Sequence, residues 1–222
     1  MAGRLREMRC ELSFLKNADG SACFSQGATC IWASCSGPGD VHASKASDEA
    51  MTLDISYRAN CGDNKFNVLN NIIHSTLSNA INLELFPHTT ISVTVHGIQD
   101  DGSMGAVAIN GACFALLDNG MPFETVFCGV LIVRVKDELI IDPTAKQEAA
   151  STGRVLFSVC KGSDGHPEVC AMDAIGHWDF IQLEAAWSLA QPSASAIFDF
   201  YKTVMKRKLS VDEQLEHHHH HH

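Results

Sequence analysis

Between Lys65 and Arg134 the chain carries no lysine or arginine. Within that stretch lies an alternating strand pattern, Ile91 to Ile98. Then come Asp100-Asp101-Gly102-Ser103-Met104-Gly105-Ala106 and a mostly apolar run from Val107 to Leu117. A strand that turns at glycine into a helix leaves free backbone N–H groups at the helix start, a ready anion site. Here that frame carries two carboxylates and no cation. The backbone suggests phosphate chemistry and the side chains argue against it. The small residues Ala106, Ala108, Ala112 and Ala115 predict a closely packed helix.

The flanking sequence supplies the other elements. Leu12–Leu15 and Ala22–Ser25 flank a turn at Asn17–Gly20, and Thr29–Ser34 follows until Ser36–Asp40 breaks it. With Met51–Tyr57 this makes an antiparallel meander. Phe66, Leu69, Ile73, Leu77 and Ala80 recur at helical spacing. The opposite face of that helix, rich in Asn and Ser, is either a poorly charged solvent face or one covered by a partner. Val126–Val135 with Glu138–Ile141, and Arg154–Cys160 with Glu168–Ile175, read as hairpins. Trp178–Val204 reads as a helix anchored by Phe180, Leu183, Trp187, Ile197 and Tyr201, and Pro192 is expected to kink or split it. Strands followed by helices in both halves predict an α+β fold with helices packed on mixed sheets.

Leu215–His222 reads as an expression tag, which leaves residues 1–214 for a single domain. Nine cysteines with no Cys-x-x-Cys pair and no visible leader predict thiols rather than a disulfide frame, in a soluble intracellular protein. A formal charge of −10 makes the chain a poor autonomous binder of polyanions unless a local basic patch or a basic partner offsets it.

Few residues offer chemistry. Asp142 and Glu148 suit Mg²⁺, which takes one or two carboxylates plus phosphate and water. Alternatively Asp142 caps a helix whose first turn holds Pro143. Asp100 and Asp101 read as turn residues. Arg58 and Lys65 flank the loop before the first helix and are the best-placed pair for RNA, or else ordinary solvated cations. Lys202, Lys206, Arg207 and Lys208 suit the end of the last helix.

Several motifs in order resemble the RNase PH family. They are Asp19-Gly20-Ser21-Ala22, Gln26-Gly27-Ala28-Thr29 and Ser36–Val41. They continue with Ile98–Ser103, Ala108–Ala112, Phe127–Val130 and Ile141–Glu148. The resemblance runs from about Arg9 to Lys208 and implies a two-half β/α fold that assembles into rings or dimers. It is strongest to the RNase-PH-like ring subunits of animal exosomes. That implies a place in 3′–5′ RNA processing and decay in the nucleus, nucleolus and cytoplasm, beside other ring subunits and RNA. Active members cleave RNA with phosphate, held by a Thr-Arg-Thr-like run. The matching Met104, Gly105 and Ala106 lack its cation and hydroxyls, and the helix 66–82 lacks the family's RNA-gripping arginines. The family's two metal carboxylates match Asp142 and Glu148. The expectation is therefore a ring subunit with a degenerate phosphorolytic site. A metal-dependent nuclease, or a nucleic-acid-binding homodimer acting on DNA in cell death, is the competing reading.

Overall fold

A computed structural model describes residues 4–40, 50–59 and 67–220. Strands β1 (Met8–Leu12), β2 (Gly20–Gln26) and β3 (Thr29–Asp40) form the expected antiparallel meander. The fourth strand corrects that expectation. Strand β4 (Thr52–Ala59) runs into helix α1 (Asn67–Ala80) and returns as β5 (Thr89–Gln99), which pairs with β4 in parallel and with β3 antiparallel. A parallel pair needs a crossover, and α1 provides it. The first sheet has the order β1-β2-β3-β5-β4. Strand β3 also continues past the expected break at Ser36–Asp40. A register shift between Ser36 and Gly39 accommodates Pro38, which has no N–H to give the ladder.

Helix α2 (Met104–Asn119) packs on β2, β3 and β5 of the first sheet and on β6 (Phe127–Val135) and β8 (Gly153–Lys161) of the second. It is buried along nearly its whole length, which explains its missing charges. A Cβ on Gly111 would lie 2.1 Å from Ile31 Cδ1, and one on Gly129 would lie 2.9 Å from Ala106 Cα. Those two glycines let the helix seat directly on both sheets. Asn110 ties the layers together. Its Oδ1 accepts from Gly129 N and Tyr201 Oη, and its Nδ2 donates to Gln26 Oε1.

The second sheet is antiparallel throughout, in the order β7-β6-β8-β9, with β7 spanning Glu138–Ile141 and β9 Pro167–Ile175. Lys136 and Asp137 turn the first hairpin with φ of 49° and 64°, as a two-residue turn demands. A register shift between Ser158 and Val159 brings Cys160 and Cys170 to a Cα–Cα distance of 6.0 Å, and they form a disulfide. The expectation of thiols throughout fails there and holds for the six other described cysteines, while Cys61 lies outside the described residues.

Helix α3 is one short turn pair, Ala145–Ala149, and α4 runs unbroken from Phe180 to His219. Pro192 lies inside α4 without splitting it. Ile197 and Tyr201 are buried as expected, but Phe180 stands 78% exposed in the first turn of α4, where no element covers it. Of the expected α1 anchors, Leu69, Ile73, Leu77 and Ala80 are buried, with Ile72 beside them, and Phe66 lies outside the described residues. A fully buried leucine or isoleucine contributes about 1.5–3 kcal/mol. The α+β reading stands, with an asymmetry the sequence hid: one half contains a parallel pair and the other does not.

Candidate functional site

The turn from β5 into α2 is held by its own residues. Asp100 Oδ1 accepts from Gly102 N at 2.9 Å, the turn role expected of it. Gly102 has φ 88°, and a Cβ there would lie 2.4 Å from Thr144 C. Only glycine fits. Ser103 precedes the helix in the left-handed region, φ 63°, and its hydroxyl donates to Pro143 O instead of capping α2. Its backbone N–H donates to Glu148 Oε1 at 2.9 Å. A carboxylate of the chain itself thus takes a donor that an incoming phosphate oxygen would use. Met104 and Ala106 are buried, and a Cβ on Gly105 would meet Leu156 Cδ2 at 2.9 Å. These three positions bring neither cation nor hydroxyl to the helix start.

Behind the turn, Arg6 closes on Asp142. Arg6 N and Nε donate to Oδ2 at 2.9 and 3.0 Å, and Nη2 donates to Oδ1 at 2.9 Å. Arg6 Nη1 and Nη2 also donate to the carbonyls of Asp101 and Gly102. The Asp142 side chain is 1% exposed. The cap expected of Asp142 belongs to Thr144, which forms a capping box with Gln147. Asp142 itself has φ 51° and lies before the helix.

Beside the helix start opens a cavity of about 190 Å³. Its floor is apolar, with Leu69, Ile72, Leu131 and Leu156, and its polar groups are Asp100, Glu148, Asp173 and Arg154. Three carboxylates oppose one guanidinium, so the cavity repels phosphate. The Glu148 carboxyl is pushed above the usual range, first by burial and then by Asp100. The Ser103 N–H and Arg154 pull it the other way.

Glu148 lines this cavity, and Asp142 does not. The two carboxylates meant for one Mg²⁺ therefore serve different neighbours, because Arg6 holds Asp142. Among the described residues no group of three or more His, Cys, Asp or Glu is placed to hold a metal ion. In this structure Arg6 occupies the Asp142 carboxylate, while Glu148 faces the cavity.

Arg58 is exposed near the end of β4, away from the cavity lining. Its register partner on β5 is His96, which in turn faces Trp32 on β3. Lys65 lies outside the described residues. Helix α1 turns Asn71, His74, Ser75 and Asn79 to the exterior. Sequence reasoning missed Arg6, Arg154, Asp173, Trp32 and His96. Strand alternation carried a signal for the last two; the others come from distant segments with no local pattern.

Comparison with known proteins agrees with this fold. The 3′ exoribonuclease family (RNase PH) matches with its domain 1 over residues 4–122 and its domain 2 over residues 125–174. The chain is 28% identical over 205 residues to human exosome complex component RRP41, covering 86% of this chain and 83% of that protein. It is 23% identical over 225 residues to Rrp41 of Archaeoglobus fulgidus, covering 96% and 87%. A crystal structure of C. elegans cell-death-related nuclease 5 is 81% identical, with a TM-score of 0.71 over 94% of this chain and 100% of that one. Rice Rrp46, at 22% identity and a TM-score of 0.83 over 92% and 97%, shares the fold.

Proposed function

The chain belongs to the 3′ exoribonuclease (RNase PH) family, and from that premise we propose that it is a non-catalytic ring subunit of the RNA exosome. One observation carries the reading: Glu148 takes the backbone donor of Ser103 just before α2, and Met104, Gly105 and Ala106 supply no cation. Phosphoryl transfer rests on positioning and charge neutralisation. Losing the central cation costs several kcal/mol of transition-state stabilisation, judged from about 3 kcal/mol per oxyanion donor. Likeness to the exosome components above supports the assembly role.

In this role the chain contributes contacts to other RNase-PH-like ring subunits and to RNA during 3′–5′ processing and decay, in the nucleus, nucleolus and cytoplasm. Isolated, it pairs with itself, because surface shaped for a ring neighbour is otherwise left exposed. Co-expression with other RNase-PH-like subunits should yield one stoichiometric complex on size exclusion. Persistent elution as a separate species would contradict the assembly role.

A second reading follows from the likeness to a cell-death-related nuclease: a Mg²⁺-dependent hydrolase acting on DNA. The Arg6–Asp142 pair argues against its expected ligand set. Glu148→Gln separates the two readings. A hydrolase loses its Mg²⁺-dependent cleavage in this variant, and a ring subunit has none to lose.

A further inference from the structure

One face of the first sheet has no part in the core. Along β3, Ile31, Ala33 and Cys35 are buried while Trp32 and Ser36 are exposed. Along β5, Val93 and Val95 are buried while Ser92, Thr94 and His96 point the other way. The strand register sets Trp32 beside His96, and His96 beside Arg58 on β4. Adjacent strands lie about 4.8 Å apart, so Arg58 stands roughly 10 Å from Trp32 with the imidazole between them. Trp32 is 42% exposed at the centre of the sheet, and Phe14 props it with a ring-centroid distance of 5.5 Å. The next row, Ser34, Thr94 and Ser56, is made of hydroxyls.

We propose that this outer face is a docking platform for single-stranded RNA: Trp32 stacks a base, and His96 and Arg58 meet the adjoining phosphates. The proposal rests on the RNA-binding part of the reading above. An exposed indole on a flat sheet, with an imidazole beside it and a guanidinium one strand further, is an arrangement that suits single strands, since every base has a π-face. The carboxylates on this face stand apart from Arg58. Glu11 lies two strands from Trp32 on the side opposite Arg58, and Asp54 lies four residues from Arg58, about 13 Å along β4. Cys30, on the same face, stays neutral, because burial and then its neighbour Cys23 push its thiol up to about 11. The hydroxyl row suits the 2′-OH of ribose. A protein partner would need several buried aromatic or aliphatic anchors, and this face offers one.

The test is fluorescence anisotropy of a labelled oligouridylate titrated with the full chain, at several salt concentrations. Trp32→Ala should weaken Kd about tenfold or more, and Trp32→Phe should keep most of the affinity. The slope of log K against log salt should be about −0.7 to −1.4, for one or two phosphates, and should shrink by about 0.7 in Arg58→Ala. Unchanged affinity in folded Trp32→Ala would overturn the platform and leave RNA binding elsewhere intact. No binding by the unaltered chain would overturn the platform and the RNA-binding reading together. Equal affinity for oligodeoxythymidylate would overturn the preference for RNA. A changed oligomeric state in Trp32→Ala, with RNA affinity untouched, would reassign the face to a protein partner.

Discussion

The cavity at the start of α2 and the outer face of the first sheet are linked by β5, which carries His96 and ends one residue before Asp100, and they differ in what they present. At the cavity, Asp100, Glu148 and Asp173 face a single Arg154 over an apolar floor, and the backbone donor of Ser103 is already taken. On the outer face, Trp32, His96 and Arg58 stand in one register row with hydroxyls beside them. The first region keeps a frame for holding phosphate and has lost the charge to do so. The second has little depth but the groups a flexible polyanion needs. Affinity for nucleic acid and chemistry upon it are separable properties, and the proposed platform lies apart from the cavity.

The sharpest way to break the comparison is at Arg6. Arg6→Ala leaves the Asp142 carboxylate buried without its partner, and loss of one member of such a pair costs about 3–5 kcal/mol. Urea unfolding should show that loss, with oligouridylate affinity unchanged as long as the chain remains folded. Next comes Trp32→Ala, the reverse case. It should lower RNA affinity about tenfold while changing stability by no more than about 0.5 kcal/mol. A large stability loss there would mean that Trp32 is structural.

The smallest effect tests the cavity alone. The carboxyl of Glu148 is raised, by burial first. A raised carboxyl binds its proton more tightly in the folded state, so the linked stability is fully present below the ordinary glutamate value, about 4.3, and is lost as pH rises through the folded one. Glu148→Gln should therefore raise Tm slightly at neutral pH, and the gain should vanish in acid. A lower Tm at neutral pH would mean that the charged bond to Ser103 N outweighs the cost of burial.

Much of this was legible in the sequence because it is local. Alternation and spacing marked β5 and both hairpins, and the small residues Ala106, Ala108, Ala112 and Ala115 marked α2 as closely packed. What failed was decided at long range. That β4 joins β5 in parallel depends on the α1 crossover, which no residue in β4 announces. Asp142 and Glu148 are six positions apart, yet the group that binds the Asp142 carboxylate is Arg6, 136 positions away, which no local pattern announces. Cys160 and Cys170 meet because of a bulge that the Ser158–Val159 pattern does not signal. Arg58 was visible as a cation, but its row with His96 and Trp32 exists only once the register is set.

The central claim, that the phosphate frame survives without its chemistry, is tested most directly by incubating the purified chain with single-stranded RNA and inorganic phosphate, with and without Mg²⁺. The released products should then be resolved by chromatography. The account predicts no phosphate-dependent release of nucleoside diphosphates above the no-protein control. Steady release at an ordinary enzymatic turnover, about 1 s⁻¹ or faster, abolished by omitting phosphate, would contradict it.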